Sequence, residues 1–226
     1  REVCPQRARL QTKLIPLDRA IAQARSMAGP LSFTDAADAT SSGATGDSNA
    51  ILAALREQSY PGRVLAQIVD PAAAAAAHRA GVGARISVTL GGAMDPGRFT
   101  PMAVEARVAL LSDGRARLET MRSELDAGPT AVLTFGNFTV VVLSRTVSLF
   151  DRALYFSNGC DPRDFDLTVV KSPHTEFHMY DAWVEKNFNV DAPGATSADI
   201  ANLGHRICQR PIYPLDLDAE FAPEAE

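Results

Sequence analysis

The alternation of apolar strands and helices between residues 31 and 83 limits the fold of this chain more than any other feature of its sequence. Residues 31–35 predict a short strand, and the mostly apolar residues 63–69 predict a second one. Each run leads into a helical segment, first 49–57 and then the alanine-rich stretch that opens at Asp70-Pro71. Strands that alternate with helices lie parallel in one sheet, so this half of the chain predicts an α/β layer.

The next part of the sequence changes to strands that follow one another with only turns between them. Gly136-Asn137 separates two apolar runs, which predicts a β-hairpin. Later, 167–170 predicts a strand buried on both faces, 174–184 a C-terminal helix, and 187–197 a structured loop that begins a long loop tail. The predicted fold class is therefore α/β, with a mixed sheet that joins the strand-helix-strand-helix half to an antiparallel β section. The antiparallel runs are 85–90, 102–111, 130–135 and 139–144.

Composition and charge argue against two classes of partner, nucleic acids and membranes. The net charge is −5, whereas a nucleic-acid-binding domain shows a basic face, so no nucleic-acid partner is expected. No apolar run approaches the ~20 residues of a membrane span, so no membrane partner is expected. Cys4, Cys160 and Cys208 are widely spaced and odd in number, which predicts reduced thiols in a cytoplasmic protein. Because the chain opens at Arg1 without a methionine, we expect it to be a piece of a longer protein.

A loop of small and acidic residues between 35 and 48 is the first candidate site. A predicted strand delivers this loop and a predicted helix leaves it, and the free N–H groups at the start of a helix favour an anion. Asp35, Asp38 and Asp47 would repel a phosphate, and the loop lacks the lysine of a Walker A motif. Two interpretations stay open: a loop at a substrate cleft, and a self-bonded loop that packs on a neighbouring domain.

The second candidate is the segment 171–181, which follows a buried strand. Functional groups of α/β proteins collect at this end of the strands. On a helix, His174 and His178 share one face and Asp181 lies three residues further, so the three side chains could hold zinc. Glu176 lies two residues after the first histidine, so the segment is not a His-Glu-x-x-His motif. Local hydrogen bonding of both histidines is the alternative.

An ordered set of short motifs runs through most of the chain. These motifs are Asp35-Ala-Ala-Asp38, Gly43-Ala-Thr-Gly46-Asp47-Ser48, Val69-Asp70-Pro71, Ala80-Gly81-Val82-Gly83, Leu90-Gly91-Gly92, Gly128-Pro129-Thr130-Ala131-Val132, Val169-Val170-Lys171-Ser172, Asp191-Ala-Pro193-Gly194 and Arg210-Pro211-Ile212-Tyr213-Pro214-Leu215-Asp216. In this order they resemble the C-terminal region of the microcystinase C (MlrC) family. The resemblance divides the chain into a helical join from a preceding N-terminal domain at 1–29, the MlrC-like domain at 30–216, and an acidic, frayed tail at 217–226.

The resemblance implies part of a zinc-dependent, metallopeptidase-like hydrolase that cleaves peptide or amide bonds. The family is named for the hydrolysis of linearised microcystin, and its metal ligands lie in the N-terminal domain, where zinc would polarise the carbonyl and activate water. We therefore expect no zinc in this chain, no catalytic residue from it, and no activity from it alone. The segment 174–180 departs from the microcystin-degrading members, so the resemblance implies a small peptide-like substrate without identifying it as the toxin.

The resemblance also implies that this domain forms one wall of a substrate cleft beside an N-terminal metal-binding domain. Lys171 is expected to bind a substrate carboxylate, and the small-residue loop is expected to supply backbone N–H groups. Two alternatives stay open: a non-catalytic binding or homo-oligomerisation module, and a self-contained metal site at His174, His178 and Asp181. The zinc content of the chain separates the metal site from the other two readings. The residues expected to face the cleft are Asp38, Ser42, Thr45, Asp47, Lys171 and His174.

Overall fold

A nine-stranded sheet forms the frame of the molecule in the computed structural model, which describes residues 6–7, 12–175 and 177–219. Two further strands, β6 and β7, form a small sheet of their own. The strands are β1 (Ile15–Pro16), β2 (Leu31–Thr34), β3 (Val64–Val69), β4 (Arg85–Leu90), β5 (Met102–Ser112), β6 (Arg115–Arg117), β7 (Glu124–Asp126), β8 (Thr130–Phe135), β9 (Phe138–Leu143), β10 (Leu167–Val170) and β11 (Lys186–Asp191). The α-helices are α1 (Leu17–Ala24), α2 (Ala50–Glu57), α3 (Pro71–Ala80) and α4 (Ala153–Ser157).

Neighbouring strands are parallel in one part of the large sheet and antiparallel in the other. The parallel part runs in the order β1, β11, β2, β10, β3 and β9. Strand β10 lies between β2 and β3, with Leu167 opposite both Leu31 and Val64. From β9 the sheet continues antiparallel through β8 and β5 to β4, and Gly136-Asn137 forms the turn of the β8–β9 hairpin. The predicted α/β class with a mixed sheet is therefore confirmed.

Alternate side chains of β3 enter two different apolar layers. Val64, Ala66 and Ile68 pack with the residues of α1, α2 and α3, whereas Leu65 and Val69 pack with those of α4. All five side chains are at most 1% exposed. Full burial of a Val, Leu or Ile side chain contributes about 1.5–3 kcal/mol, so covering both faces explains why Gln67 is the one polar residue of this strand.

Helix α3 begins where the sequence predicts. Pro71 occupies its first turn, and the Asp70 carboxylate accepts the backbone N–H of Ala73 at 2.9 Å. A side-chain cap of this kind stabilises a helix by ~1 kcal/mol. The buried face of the helix consists of Ala73, Ala74 and Ala77, whose small side chains let the helix lie close to the sheet.

Residues 15–24, which precede β2, belong to the same sheet and core. Strand β1 pairs with β11, with Ile15 opposite Val190. Helix α1 follows at once and buries Ala20, Ile21 and Ala24. The segment 15–24, which lies within the join predicted at 1–29, is thus packed into the domain itself.

The predicted helix at 174–184 is wrong. In the structure this segment contains one π turn, Phe177–Asp181, and Trp183 follows it outside any helix. The turn buries Met179 and Tyr180 in a small apolar cluster beneath it. The burial of these two side chains therefore outweighs the helical propensity of the segment.

The predicted loop at 187–197 is also wrong in its first half, because Lys186–Asp191 forms strand β11. This strand is paired on both sides, by β1 and by β2. Its Phe188 is buried, while Asn189 accepts a hydrogen bond from the Thr34 hydroxyl at 2.6 Å. Asparagine normally marks turns, and here a partner on the next strand satisfies its side chain.

The tail after β11 consists of loops and a 3-10 turn at Ile200–Leu203. Arg210 pairs with Asp216 inside the tail, and Arg7 donates to the carbonyl oxygens of Leu217 and Ala219. The acidic tail predicted at 217–226 lies outside the described residues from position 220 onward. Within the described ranges, every helix is too short or too polar to cross a membrane. Cys160 and Cys208 are free thiols there, and Cys4 lies outside those ranges.

Candidate functional site

The parallel strands end along one edge of the sheet, which we call the carboxyl edge. Asp35 follows β2, Asp70 follows β3, Lys171 follows β10 and Ala192 follows β11. Each of the three charged side chains is at most 6% exposed. A buried charge needs a partner, so the contacts of these three groups define the structure of the site.

Lys171 lies at the centre of the carboxyl edge. Its Nζ donates to Asp38 Oδ2 at 2.6 Å and to the backbone oxygen of Ser48 at 2.8 Å. Asp35 Oδ2 lies 4.0 Å from the same Nζ. The Lys171 side chain is 3% exposed, and those of the two aspartates are 2% exposed. The ammonium therefore has two internal carboxylates beside it, and its expected role toward a substrate carboxylate stays a prediction.

Asp38 closes the small-residue loop on itself. Its Oδ1 accepts the backbone N–H of Gly46 at 2.9 Å, and its Oδ2 accepts that of Ser48 at 2.8 Å. The backbone N–H groups of Ser42 and Gly43 also have partners inside the loop. A carboxylate of the protein itself therefore accepts the N–H groups of the loop just before α2, and both interpretations of this loop stay predictions.

Asp35 is the second carboxylate beside Lys171, and burial raises its pKa to about 6. The Lys171 ammonium acts in the opposite direction and lowers the pKa, while the negative charge of Asp38 raises it. The Asp35 Oδ1 accepts the backbone N–H of Asp38 at 3.2 Å, which also favours the ionised form. Two carboxylates thus share one buried ammonium, and burial makes Asp35 easier to protonate than an ordinary aspartate.

Asp47 joins the small-residue loop to the loop that follows β4. Its Oδ2 accepts the backbone N–H of Met94 at 2.6 Å, and its backbone oxygen accepts that of Gly92 at 2.8 Å. The Thr45 hydroxyl donates to the other carboxylate oxygen of Asp47. Asp47 is 1% exposed, so it fixes the two loops to each other from inside.

Asp70 and Asn49 anchor the same loop after β4. The second carboxylate oxygen of Asp70 accepts the backbone N–H of Gly91 at 2.8 Å. The Asn49 side-chain amide donates to the carbonyl oxygens of Leu90 at 2.9 Å and Thr100 at 2.8 Å. These hydrogen bonds from buried side chains fix the position of the loop after β4.

The segment after β11 closes over the 3-10 turn Ala36–Asp38. Thr196 donates its hydroxyl to the Ala36 oxygen at 2.8 Å and its backbone N–H to the Ala37 oxygen at 3.0 Å. Gly194 packs so closely that an added Cβ would lie 2.1 Å from the Ala37 oxygen. The position therefore requires glycine for a close backbone approach.

The six residues predicted to face a cleft divide into two groups. Asp38, Asp47 and Lys171 are buried within the carboxyl edge. Ser42 and His174 are exposed, and Thr45 is half-buried. The first group holds the loops in place, and the second group is accessible to a ligand or a neighbouring domain.

The three residues of the alternative metal site have other contacts. His178 Nε2 lies 3.2 Å from the Thr120 hydroxyl, and Asp181 accepts a hydrogen bond from the Thr175 hydroxyl. His174 precedes the π turn, so the shared helical face on which the prediction rests does not form. Over the described part of the chain, no three His, Cys, Asp or Glu side chains form a group that could hold a metal ion.

Several residues of the carboxyl edge were not singled out from the sequence. The sequence predicts Asp70 as the start of a helix, but its second contact, to Gly91, bridges 21 positions and leaves no local signal. The contacts of Thr196 with the Ala36–Asp38 turn bridge about 160 positions. The position of Asp70 directly after a strand is the one signal that could have placed it at this edge.

The chain resembles known proteins over most of its length. Residues 33–206 match the protein family described as MlrC C-terminus. A crystal structure at 2.13 Å resolution of a protein from Mesorhizobium sp. BNC1, provisionally named a metallopeptidase, is similar with a TM-score of 0.83 and 26% identity. The match covers 97% of this chain and 44% of that one, so this chain spans less than half of the relative's length. No curated protein matches the chain.

Proposed function

Because the chain belongs to the MlrC C-terminus family, we propose that it is the C-terminal domain of a zinc-dependent hydrolase of peptide or amide bonds. In this proposal the carboxyl edge forms one wall of the substrate cleft, and an N-terminal metal-binding domain forms the other. The substrate is a small peptide-like molecule. A cytoplasmic location is part of the proposal, since the free thiols of Cys160 and Cys208 suit a reducing compartment.

One observation carries the proposal: the loops after five strands meet at the carboxyl edge and are fixed there by buried polar contacts. Lys171 and Asp38 join the end of β10 to the loop after β2. Asp47, in the loop after β2, and Asp70, at the end of β3, both accept hydrogen bonds from the loop after β4. Gly194 lets the segment after β11 pack against the Ala37 backbone oxygen. Ligand sites of open α/β sheets lie outside the carboxyl ends of the strands, and rigid loops there position substrate groups with little loss of entropy.

The described residues of this chain do not fit a zinc site. Such a site needs three or four His, Cys, Asp or Glu side chains around one point, and the described part of the chain has no such group. The proposal therefore assigns the zinc to the N-terminal domain. The metallopeptidase-like relative, whose chain is more than twice the matched length, supports this assignment.

Within the proposal, buried and exposed residues have different roles. Lys171, Asp38 and Asp47 are positioning residues, because their charged groups bond to the loops and not to solvent. Ser42 and His174 are accessible, so a substrate or the metal-binding domain can touch them. An imidazole at this position can accept or donate a hydrogen bond to an amide group.

Steady-state hydrolysis of a short peptide by the zinc-loaded two-domain protein tests the proposal. We expect His174→Ala to lower kcat/KM at least tenfold while one zinc per chain is retained. Arg163→Ala is the matched control, since Arg163 is exposed and pairs with Asp161, two residues away in the chain. If the protein hydrolyses no peptide or amide, or if both variants behave alike, the proposal is wrong.

A further inference from the structure

Two arginines lie directly opposite each other on the antiparallel strands β4 and β5. Arg85 and Arg107 are register partners, and both side chains are exposed on the face that points away from Ala106 and the core. The backbone N–H of Val108 donates to the Ala84 oxygen at 2.9 Å, so the next pair along, the two arginines, is one without backbone hydrogen bonds. Side chains lie closest in pairs of this kind, and like charges there destabilise a sheet.

These two residues, which we call the arginine pair, have no counter-charge within the described part of the chain. The side chains of Arg85 and Arg107 form no hydrogen bond and no ion pair there. Glu105 lies on the same face two residues before Arg107, and its carboxylate accepts the hydroxyl of Ser87, its partner on β4. The arginine pair therefore keeps the N–H donors of both guanidiniums available to a ligand.

The small sheet of this protein shows the opposite arrangement of charges. There Arg115 lies opposite Asp126, and Arg117 lies opposite Glu124. Cross-strand pairs of opposite charge stabilise a sheet, whereas the arginine pair gives up that stabilisation. Proteins break local rules of this kind at functional sites, so the arginine pair is a candidate for binding.

Both arginines line a cavity of about 370 Å³. This volume lies within the range of small-ligand sites. Thr134 adds a hydroxyl to the wall, and Phe135 adds an apolar surface. The ring of Phe135 is stacked on that of Phe138, with the ring centroids 5.3 Å apart, so this part of the wall is held in place.

A neighbouring cavity of about 460 Å³ adds a third arginine. It shares Glu105 and Phe135 with the first cavity and is also lined by Arg56. The Arg56 guanidinium donates to the Ala103 backbone oxygen at 2.8 Å and forms no ion pair over the described ranges. The two cavities together hold three arginines and one glutamate, which leaves an excess of two positive charges.

We propose that the arginine pair binds the phosphate group of a small phosphate monoester, whose organic part packs on Phe135. A phosphate monoester carries a charge of about −2 at neutral pH, which balances the excess positive charge of the two cavities. Its three terminal oxygens accept from both guanidiniums at once, whereas a carboxylate has two oxygens and occupies one guanidinium fork. The site uses none of the carboxyl-edge residues and is independent of the proposed hydrolase function.

Isothermal titration calorimetry of the chain with phenyl phosphate and with benzoate tests the proposal. Phenyl phosphate is expected to bind roughly tenfold more tightly than benzoate, because the phosphate engages both guanidiniums. Arg85→Ala and Arg107→Ala should each weaken phenyl phosphate by a similar factor, and Arg85→Lys, which keeps the charge and loses the fork, should give an intermediate affinity. Arg117→Ala is the matched control, since Arg117 is also an exposed strand arginine, and it should bind like the wild type.

No saturable binding, equal affinity for benzoate, or the same weakening in Arg117→Ala overturns the inference. Equal affinity for inorganic phosphate and phenyl phosphate would overturn the contact with Phe135. Thermal unfolding separates loss of the site from loss of the fold. Because each alanine variant removes a like-charge contact, its Tm without ligand should equal or exceed that of the wild type. If an alanine variant unfolds, Arg85→Lys decides, and wild-type affinity in that variant would contradict the role of the guanidinium fork.

Discussion

The ammonium of Lys171 lies 2.6 Å from the carboxylate of Asp38, and neither side chain is more than 3% exposed. The two residues are 133 positions apart in the sequence, so their contact joins the end of β10 to the loop after β2. Ser48, whose carbonyl oxygen also accepts from Lys171, ties the start of α2 to the same point. The pair thus orders three segments of the carboxyl edge at once.

Removal of the ammonium should destabilise the whole domain. Lys171→Met leaves Asp38 and Asp35 buried without a counter-charge, and breaking a buried pair in this way costs about 3–5 kcal/mol. The free energy of unfolding from urea denaturation at neutral pH measures the loss. Arg163→Met is the control, because its pair with Asp161 is largely exposed to solvent and should contribute little to stability. Equal losses in the two variants would contradict the structural role of Lys171.

Asp35 should make folding stability depend on pH in the opposite sense to an ordinary aspartate. Burial raises its pKa from 3.8 to about 6, so between these values the folded state holds a proton that the unfolded chain has released. Its contribution to stability is therefore fully present below about pH 4 and is lost as the pH rises through 6. The shift corresponds to about 3 kcal/mol.

Asp35→Asn tests this dependence, since the amide keeps an oxygen for the Asp38 N–H and cannot ionise. The variant should be more stable than the wild type at pH 8, with the difference shrinking toward zero near pH 4. Urea denaturation of both proteins across this range gives the two curves. A variant that is less stable than the wild type at pH 8 would show that the ionised carboxylate of Asp35 is needed by Lys171.

Many of the strands and helices can be predicted from short sequence patterns. The mostly apolar run of β3, the cap that Asp70 provides for α3 and the Gly136-Asn137 hairpin can each be predicted from a few neighbouring residues. Their physical causes act over the same short distance, because strand periodicity, capping and turn conformation are local preferences. The predicted strands and helices of residues 31–143 are accordingly present, with ends shifted by a residue or two.

The rest depends on contacts that the sequence does not place. Strand β11 forms because β1 and β2 pair with it, although asparagines at 187 and 189 favour a turn. The burial of Lys171 could not be foreseen either, since a lysine after a strand is exposed in most proteins. The sequence identified Asp38 and Lys171 separately, and only the fold shows that they are partners.

A substitution at Gly194 tests whether the segment after β11 must pack closely against the Ala37 backbone oxygen. An alanine there would place its Cβ 2.1 Å from the Ala37 oxygen, so Gly194→Ala should displace the segment and cost about 1–3 kcal/mol. Gly97→Ala is the control, because the nearest atom to its added Cβ is an Asp95 oxygen at 3.8 Å. Thermal unfolding of both variants measures the difference. A Tm for Gly194→Ala equal to that of Gly97→Ala would mean that the contact is not required.

The chain should not carry zinc of its own. His178 contacts Thr120, Asp181 accepts from Thr175, and the described residues contain no group of three metal ligands. Elemental analysis after dialysis against micromolar zinc should therefore find well under one zinc per chain, with the double variant His174→Ala, His178→Ala giving the same value. One zinc per chain that the double variant loses would move the metal site into this domain.

The central claim is that the carboxyl edge is one wall of the substrate cleft, and a bulky side chain at its exposed rim tests it most directly. Ser42→Trp places an indole beside the small-residue loop, and Gln58→Trp places the same ring on an exposed residue at the far end of α2. The measurement is kcat/KM for peptide hydrolysis by the zinc-loaded two-domain protein, with zinc content and Tm as checks on folding. The account predicts that Ser42→Trp lowers kcat/KM at least tenfold, mainly through KM, while Gln58→Trp leaves it within about twofold of the wild type. Equal kinetics for the two variants, with both proteins folded and holding zinc, would contradict the claim.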